Sequence, residues 1–396
     1  MSDITVPLLD LKAQYEPLKA EIESVIREVC DSQWFIGGAH VDGIEKGIAQ
    51  YCGAKHAVGV SSGTDAELIG LMALGIEPGD EIITTPYTFF ATVGGIVRAG
   101  AKPVFVDIDP VTFNIDPAQI EAKINKRTKM IIPVHLYGQC ADMDPILAIA
   151  KQHDLNVGED SAQAIGARYK GKMAGNIGDW SWYSFFPSKN LGGFGDGGMV
   201  TTNDDDFAHK LRMFRNHGSE PKYYHKYVGG NFRLDALQAA VLEVKLKHLD
   251  SWHEGRRNNA REYERLFVEA GAALSSSEPY EARRELPVVL PGASEPGCTL
   301  TEQENFTSIV NQFVIRVRNR DALVKHLREK NIGCDIYYPV PLHMQECFAD
   351  LGYSKGDMPE SERASDETVA IPVYPELSAM QREYVVDTIV KYLATT

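Results

Sequence analysis

The chain has 396 residues, 44% of them apolar and 24% charged, enough to bury a large core and to build two or three domains. Its formal net charge of −15 leaves no basic surplus to displace counterions from a phosphate backbone, so nucleic acid is not an expected partner. No run of about 18 apolar residues occurs, and the start "MSDITVPLLDLKAQYEPLK" has no basic segment leading into an apolar one, so no membrane partner is expected and the cytoplasm is the expected location.

Six cysteines, at 30, 52, 140, 298, 334 and 347, are scattered without C-x-x-C spacing, and most are expected to serve as small core residues. None of the eleven histidines forms an H-x-x-x-H or H-x-E pattern, and no metal site is expected.

From about residue 55, short β-rich runs alternate with helical segments, the pattern of βαβ units. The expected strands are "HAVGV" (56–60), "EIITT" (81–85), "KPVFVDI" (102–108), "KMIIPVHL" (129–136), "LNVGE" (155–159), "WSWYSFF" (180–186) and "GMVTT" (198–202). Between them, "DPAQIEAKI" and "DPILAIAKQH" present Asp116 and Asp144 as caps, each followed by proline at the first helical position. Gly100 and Gly218 sit where helices should stop. The expected fold class is therefore α/β, a mostly parallel sheet with helices on both faces and ligands beyond the carboxyl ends of its strands. "NFRLDALQAAVLEVKLKHLDSWHEGRRNNAREYERLF" reads as one long helix bridging to a second, smaller α/β unit whose clearest strand is "NQFVIRV". Residues 273–305, rich in Pro, Ser and Glu, read as a surface insertion.

Four stretches carry chemistry. In "FFPSKNLGGFGDGG" (185–198), Lys189 stands on a glycine-rich loop without charged neighbours; a lysine there is either a surface residue or one desolvated in a cleft, its amine freed to attack a carbonyl. "GEDSAQAIGA" ends a strand with Glu159 and Asp160 adjacent, so that their side chains point to opposite faces and one can reach the strand-end crevice. "SSGTDAELIGLMALG" places Ser61, Ser62, Gly63 and Thr64 at a strand-to-helix turn, either a simple cap or a phosphate cradle made by free amides and the helix dipole. It matches neither the Walker pattern nor G-x-G-x-x-G. "TPYTFFAT" adds Tyr87, Phe89 and Phe90 at the next strand end. A cradle, a carboxylate, an aromatic face and a reactive amine together match the four parts of pyridoxal 5′-phosphate.

These stretches, with "PLLDLKAQY", "GAKPVFVDID", "IIPVHLYGQCADMDPI", "NFRLDALQAAVL" and "YYPVPLHMQ" in order along nearly the whole chain, resemble the sugar aminotransferases usually called DegT/DnrJ/EryC1/StrS, a fold-type I branch of the pyridoxal phosphate enzymes. The resemblance implies that Lys189 forms the covalent imine with the cofactor and acts as acid and base, and that Asp160 pairs with its ring nitrogen. It further implies that Gln163 contacts the ring hydroxyl, Phe89 stacks on the ring, and Ser62, Gly63, Thr64 and Ser184 hold the phosphate. Asn231 is implied to complete the phosphate site of the neighbouring subunit in a homodimer, and Arg233, Tyr337 and His343 to border the substrate.

The implied reaction is transamination: L-glutamate leaves its amino group as pyridoxamine phosphate, and a nucleotide-linked keto-sugar takes it up. A 3-keto-hexose on UDP or dTDP is the expected acceptor. The implied division is a large cofactor-binding domain, 1–245, and a small one, 246–396, carrying the insertion. Two alternatives stand beside this reading, a keto-sugar dehydratase and a non-catalytic regulatory protein that binds the cofactor. Lysine at 189 opposes the dehydratase, since that branch of the family carries histidine there. Gly158, where the family usually has a branched apolar residue, and the long insertion are departures from the pattern.

Overall fold

The computed structural model describes residues 4–395, so the first three residues of the opening segment and the last residue of the chain lie outside it. Seven strands form the central sheet: β1 (His56–Val60), β2 (Glu81–Thr84), β3 (Lys102–Phe105), β4 (Thr128–Ile131), β5 (Asn156–Asp160), β6 (Trp180–Ser184) and β7 (Gly198–Thr202). Their order is β1-β7-β6-β5-β4-β2-β3. All neighbours pair in parallel except those of β7, which runs antiparallel to both β1 and β6. The cause lies in the connections. Helices Gly63–Leu74, Phe90–Arg98 and Met143–His153, and the long segment 161–179, carry the chain back across the sheet before the next parallel strand, whereas residues 185–197 turn it from the end of β6 into β7 at the same edge, which makes β7 antiparallel. The carboxyl ends of β1, β5 and β6 and the start of β7 therefore share one edge of the sheet.

Both faces of the sheet are covered, which is why its strands read as continuous apolar runs. Val58, Trp180, Trp182 and Val200 pack with Ala66, Ile69 and Phe207 on one face. Ala57, Tyr183 and Met199 pack with Ile44, Ala239 and Leu242 on the other. The departure at Gly158 has a packing cause here: a Cβ would stand 2.9 Å from the Trp180 ring and 2.7 Å from Met130, so the indole occupies the space a branched side chain would take.

Strands β8 (Val288–Val289), β9 (Phe313–Val317) and β10 (Thr368–Ile371) form an antiparallel sheet ordered β8-β9-β10. Tyr263, Phe267, Phe313, Ile315, Leu323 and Ile389 build the core beside it, joined by Val6 from the start of the chain. The expected single long helix is two, Ala236–Leu246 and Leu249–Glu269, separated at Lys247 and His248. Its second half carries Leu249 and Trp252 into the core under the large sheet, and Ala260, Tyr263 and Phe267 into that of the small one. The second helix by itself therefore bridges the two cores.

Three further expectations change. "DPAQIEAKI" forms two 3₁₀ turns, Pro117–Gln119 and Glu121–Lys123, capped by Asp116; nine residues with a single fully buried anchor, Ile120, are too few to nucleate an α-helix. The helix Met143–His153 starts after Asp142, and Asp144 instead pairs with Lys170. The 273–305 segment is not merely superficial: β8 lies within it, and Arg283, Leu290 and Leu300 are buried. Among the described residues no helix is long and apolar enough to cross a membrane.

Candidate active site

The alternation at the end of β5 separates two carboxylates with different tasks. Glu159 is fully buried and saturated: its oxygens accept from the amides of Gly175, Ile177 and Gly178 and bond the ring of His135 at 2.9 Å. The other His135 nitrogen accepts from the Ala141 amide at 3.1 Å, so the proton resides on the nitrogen facing Glu159. Asp160 points to the opposite face. It is 6% exposed, and it accepts from Thr92 Oγ1 at 2.8 Å and from the Ala162 amide at 3.1 Å. Burial pushes its carboxyl above the ordinary range, opposed by those two hydrogen bonds and by the charge of Lys189.

Lys189 hangs over the same edge on the β6–β7 connection. Its own amide bonds Phe186 O at 2.8 Å, closing a tight turn. A Cβ on Gly192 would lie 2.3 Å from Pro187 O, so the chain folds back on itself only with bare backbone there. Two side chains of the helix Ala236–Leu246 fasten the loop: Gln238 Oε1 accepts from the Phe194 amide at 2.7 Å, and Lys245 donates to Gly192 O. Lys189 is half-buried, and burial lowers its amine to about 8, with the charge of Asp160 working the other way. No hydrogen bond or ion pair of its amine forms among the described residues.

The strand-to-helix turn after β1 faces this pair. Ser62 is the cap, its Oγ accepting from the Asp65 amide at 3.0 Å, which leaves the first amides of the helix, those of Gly63 and Thr64, at its positive end. Gly63 touches Ser184 at the end of β6: a Cβ on it would stand 2.7 Å from that of Ser184. A side chain at 63 fills the cradle; glycine leaves it open.

Phe89, 56% exposed, begins the helix Phe90–Arg98 and lies 6.1 Å from the Tyr338 ring. Gln163 donates to the Tyr338 hydroxyl at 3.0 Å and accepts from the Tyr137 amide at 2.8 Å. These parts fit pyridoxal phosphate: an open cradle for the phosphate, a carboxylate for the ring nitrogen, an exposed aromatic for the ring face and an amine for the aldehyde.

The structure gathers Ser62, Gly63, Thr64, Phe89, Asp160, Gln163, Ser184 and Lys189 along one sheet edge. Asn231 and Arg233 lie beside them, since the Ser61 amide bonds Phe232 O at 3.0 Å. Asn231 is exposed, whereas Arg233 donates to Asn216 at 2.9 Å. His343 does not face a ligand: it is 2% exposed, packed edge-on against Phe105 and bonded to Glu362 at 3.0 Å. The backbone carbonyl of Tyr337 accepts from the Tyr87 hydroxyl, and the adjacent Tyr338 is the ring that reaches Gln163. The sequence reading also missed Thr92, although it closes the "TPYTFFAT" motif one helical turn after Phe89.

Residues 17–390 match the DegT/DnrJ/EryC1/StrS aminotransferase family. The chain is 52% identical to a pleiotropic regulatory protein of Geobacillus stearothermophilus, over 98% of this chain and 99% of that one. It is 40% identical to a dTDP-3-amino-3,4,6-trideoxy-alpha-D-glucose transaminase of Streptomyces venezuelae, over 97% of this chain and 95% of that one. The crystal structure of S. venezuelae DesV in complex with a ketimine intermediate superposes with a TM-score of 0.89 at 39% identity, covering 98% of both chains. The fold is thus that of the fold-type I aminotransferases. The chain belongs to the DegT/DnrJ/EryC1/StrS aminotransferase family, whose cofactor is pyridoxal 5′-phosphate.

Proposed function

We propose that the protein transfers the amino group of L-glutamate to a nucleotide-linked 3-keto-hexose, carried on UDP or dTDP, to make an amino-sugar nucleotide. The observation that supports this most is the pairing of an amine lowered to about 8 with a buried carboxylate, at the edge that also carries an open helix-end cradle.

When bound, pyridoxal phosphate supplies an aldehyde that takes up an amino group and a ring that accepts electrons from the neighbouring carbon. The chain's residues do the rest. Lys189 anchors the cofactor through its amine and, once released, takes the proton from the donor's α-carbon; a lowered pKa suits both tasks near neutral pH. Asp160, whose ionised form Thr92 and Ala162 favour against burial, would hold the proton on the ring nitrogen. Gly63, Thr64 and Ser184 bind the phosphate, Phe89 covers one ring face, and Gln163 orients the ring hydroxyl. Arg233 and Tyr337 border the sugar-nucleotide side.

Exposed Trp34, Phe35, Ile36, Tyr223, Tyr224 and Val228 support a homodimer, in which Asn231 reaches the partner's phosphate site. Light scattering on purified protein tests the dimer. The name of the Geobacillus relative favours a second reading, a cofactor-binding regulator without turnover.

Incubating the enzyme and glutamate with a panel of UDP- and dTDP-linked keto-sugars, with mass detection, separates the readings. An amino product and 2-oxoglutarate in equal amounts are expected. Loss of oxygen without amination supports the dehydratase, and no product from any sugar refutes transamination of this substrate class.

A further inference from the structure

One buried carboxyl at this edge has no task in the scheme above. Gly63, Glu67 and Gly70 follow one another on a single face of the helix Gly63–Leu74. Gly63 lies against Ser184 and Gly70 against Trp180, two ends of β6, which places Glu67 over the level of Trp182. Trp182 stands in register with Asp160 on β5. On its far side Glu67 presses on the helix Phe90–Arg98: a Cβ at Gly95 would stand 2.5 Å from its carboxyl carbon. Thr92, one turn before Gly95, is the residue that donates to Asp160.

Glu67 is 0% exposed, and neither of its carboxyl oxygens has a hydrogen-bond partner among the described residues. The charged group whose field reaches it is Asp160, of the same sign. Burial first, and that negative neighbour second, hold the Glu67 carboxyl well above the ordinary range. Burial and like charge disfavour ionising both; the amide, hydroxyl and lysine support at Asp160 favours the charge there, and Glu67, without a partner, is the one that favours the proton.

We propose that Glu67 is a positioning residue for Asp160, an uncharged carboxylic acid whose unpartnered carboxyl turns to donate its proton to the Thr92–Asp160 pair when the cofactor's ring nitrogen engages Asp160, and so holds that carboxylate in place. The inference rests on Asp160 being the ring-nitrogen partner. A purely space-filling role is poorly served by a carboxyl, since leucine fills similar volume without a buried polar group to satisfy.

Three variants test it: Glu67→Leu, Glu67→Gln and Asp160→Ala. In the cofactor-free protein, the infrared difference between wild type and Glu67→Gln at neutral pH should show the carbonyl band of a protonated acid. Glu67→Leu should melt at or above the wild-type temperature, yet bind pyridoxal phosphate about tenfold more weakly, with an altered pH dependence of the visible band; loss of one donor to a buried charge has that size. Glu67→Gln, neutral and still a donor, should rescue affinity and band. The inference is overturned if the infrared band is missing, or if Glu67→Leu binds and titrates as wild type while Asp160→Ala does not. If Asp160→Ala also binds and titrates as wild type, the site assignment itself fails.

Discussion

The lowered pKa of Lys189 can be measured without cofactor or substrate. A shift from 10.5 to about 8 makes the amine neutral in about one molecule in ten at pH 7, against about one in three thousand for an unshifted lysine, a ratio of about 300. Trace labelling of the cofactor-free protein with an amine-selective reagent, read by peptide mass spectrometry across pH 6–11 (roughly the span between both values), should give a midpoint for Lys189 near 8. Asp160→Asn removes the charge that favours the ammonium form, so the midpoint should fall further and labelling at pH 7 should rise, by at most about tenfold because one tenth is already neutral. The same shift appears in stability. Between about 8 and 10.5 the unfolded chain holds a proton on this amine that the folded one has released, so stability should climb with pH across that window. The penalty present below about 8 is on the order of 3 kcal/mol, and Lys189→Met should remove it. Lys245, also lowered to about 8 by burial, contributes a slope of the same sign that persists in that variant. A wild-type midpoint near 10.5, or an upward move in Asp160→Asn, refutes the reasoning.

Gly63→Val places a side chain against Ser184 in the cradle and should weaken pyridoxal phosphate binding at least about tenfold in an absorbance titration, with the fold retained by circular dichroism. Thr92→Val removes a donor to the buried Asp160, costing about 1.5–3 kcal/mol or roughly 10- to 100-fold in turnover. Because that donor favours the ionised form, the acid limb of the activity profile should move to higher pH. His135→Leu leaves the buried Glu159 without its ring partner and should lower stability by about 3–5 kcal/mol in urea titrations, with added Glu159→Gln, which drops the unpaired charge but keeps an acceptor for the amides, recovering part of the loss. Co-expressed Lys189→Ala and Asn231→Ala chains, each inactive alone, should regain about a quarter of wild-type activity through mixed dimers; none regained would mean that Asn231 serves its own chain's site.

The strands of the large sheet and their mostly parallel pairing were legible because buried βαβ strands are short apolar runs separated by turn residues, and all seven appear within a few residues of expectation. The core of the site was legible for a related reason. Ligand groups of such a sheet collect at strand ends, and Asp160, Lys189 and the Ser62–Thr64 turn each occupy one. The helix break at Lys247 and the strand hidden in 273–305 were not legible, since each depends on a surface that another part of the chain provides.

Tertiary structure alone decided which groups meet. Nothing local distinguishes Tyr337 from Tyr338, but packing against Phe89 and Gln163 does. Nothing local marks Glu67 as buried, but its packing against Gly95 does, and His343 reads as a residue bordering the substrate until Phe105 and Glu362 enclose it. Local pattern determines where the chain extends, coils and turns because backbone sterics and apolar periodicity act over a few residues. Burial and charge belong to neighbours distant in the chain, so the ionisation of Lys189, Asp160 and Glu67 became definite only in the folded protein.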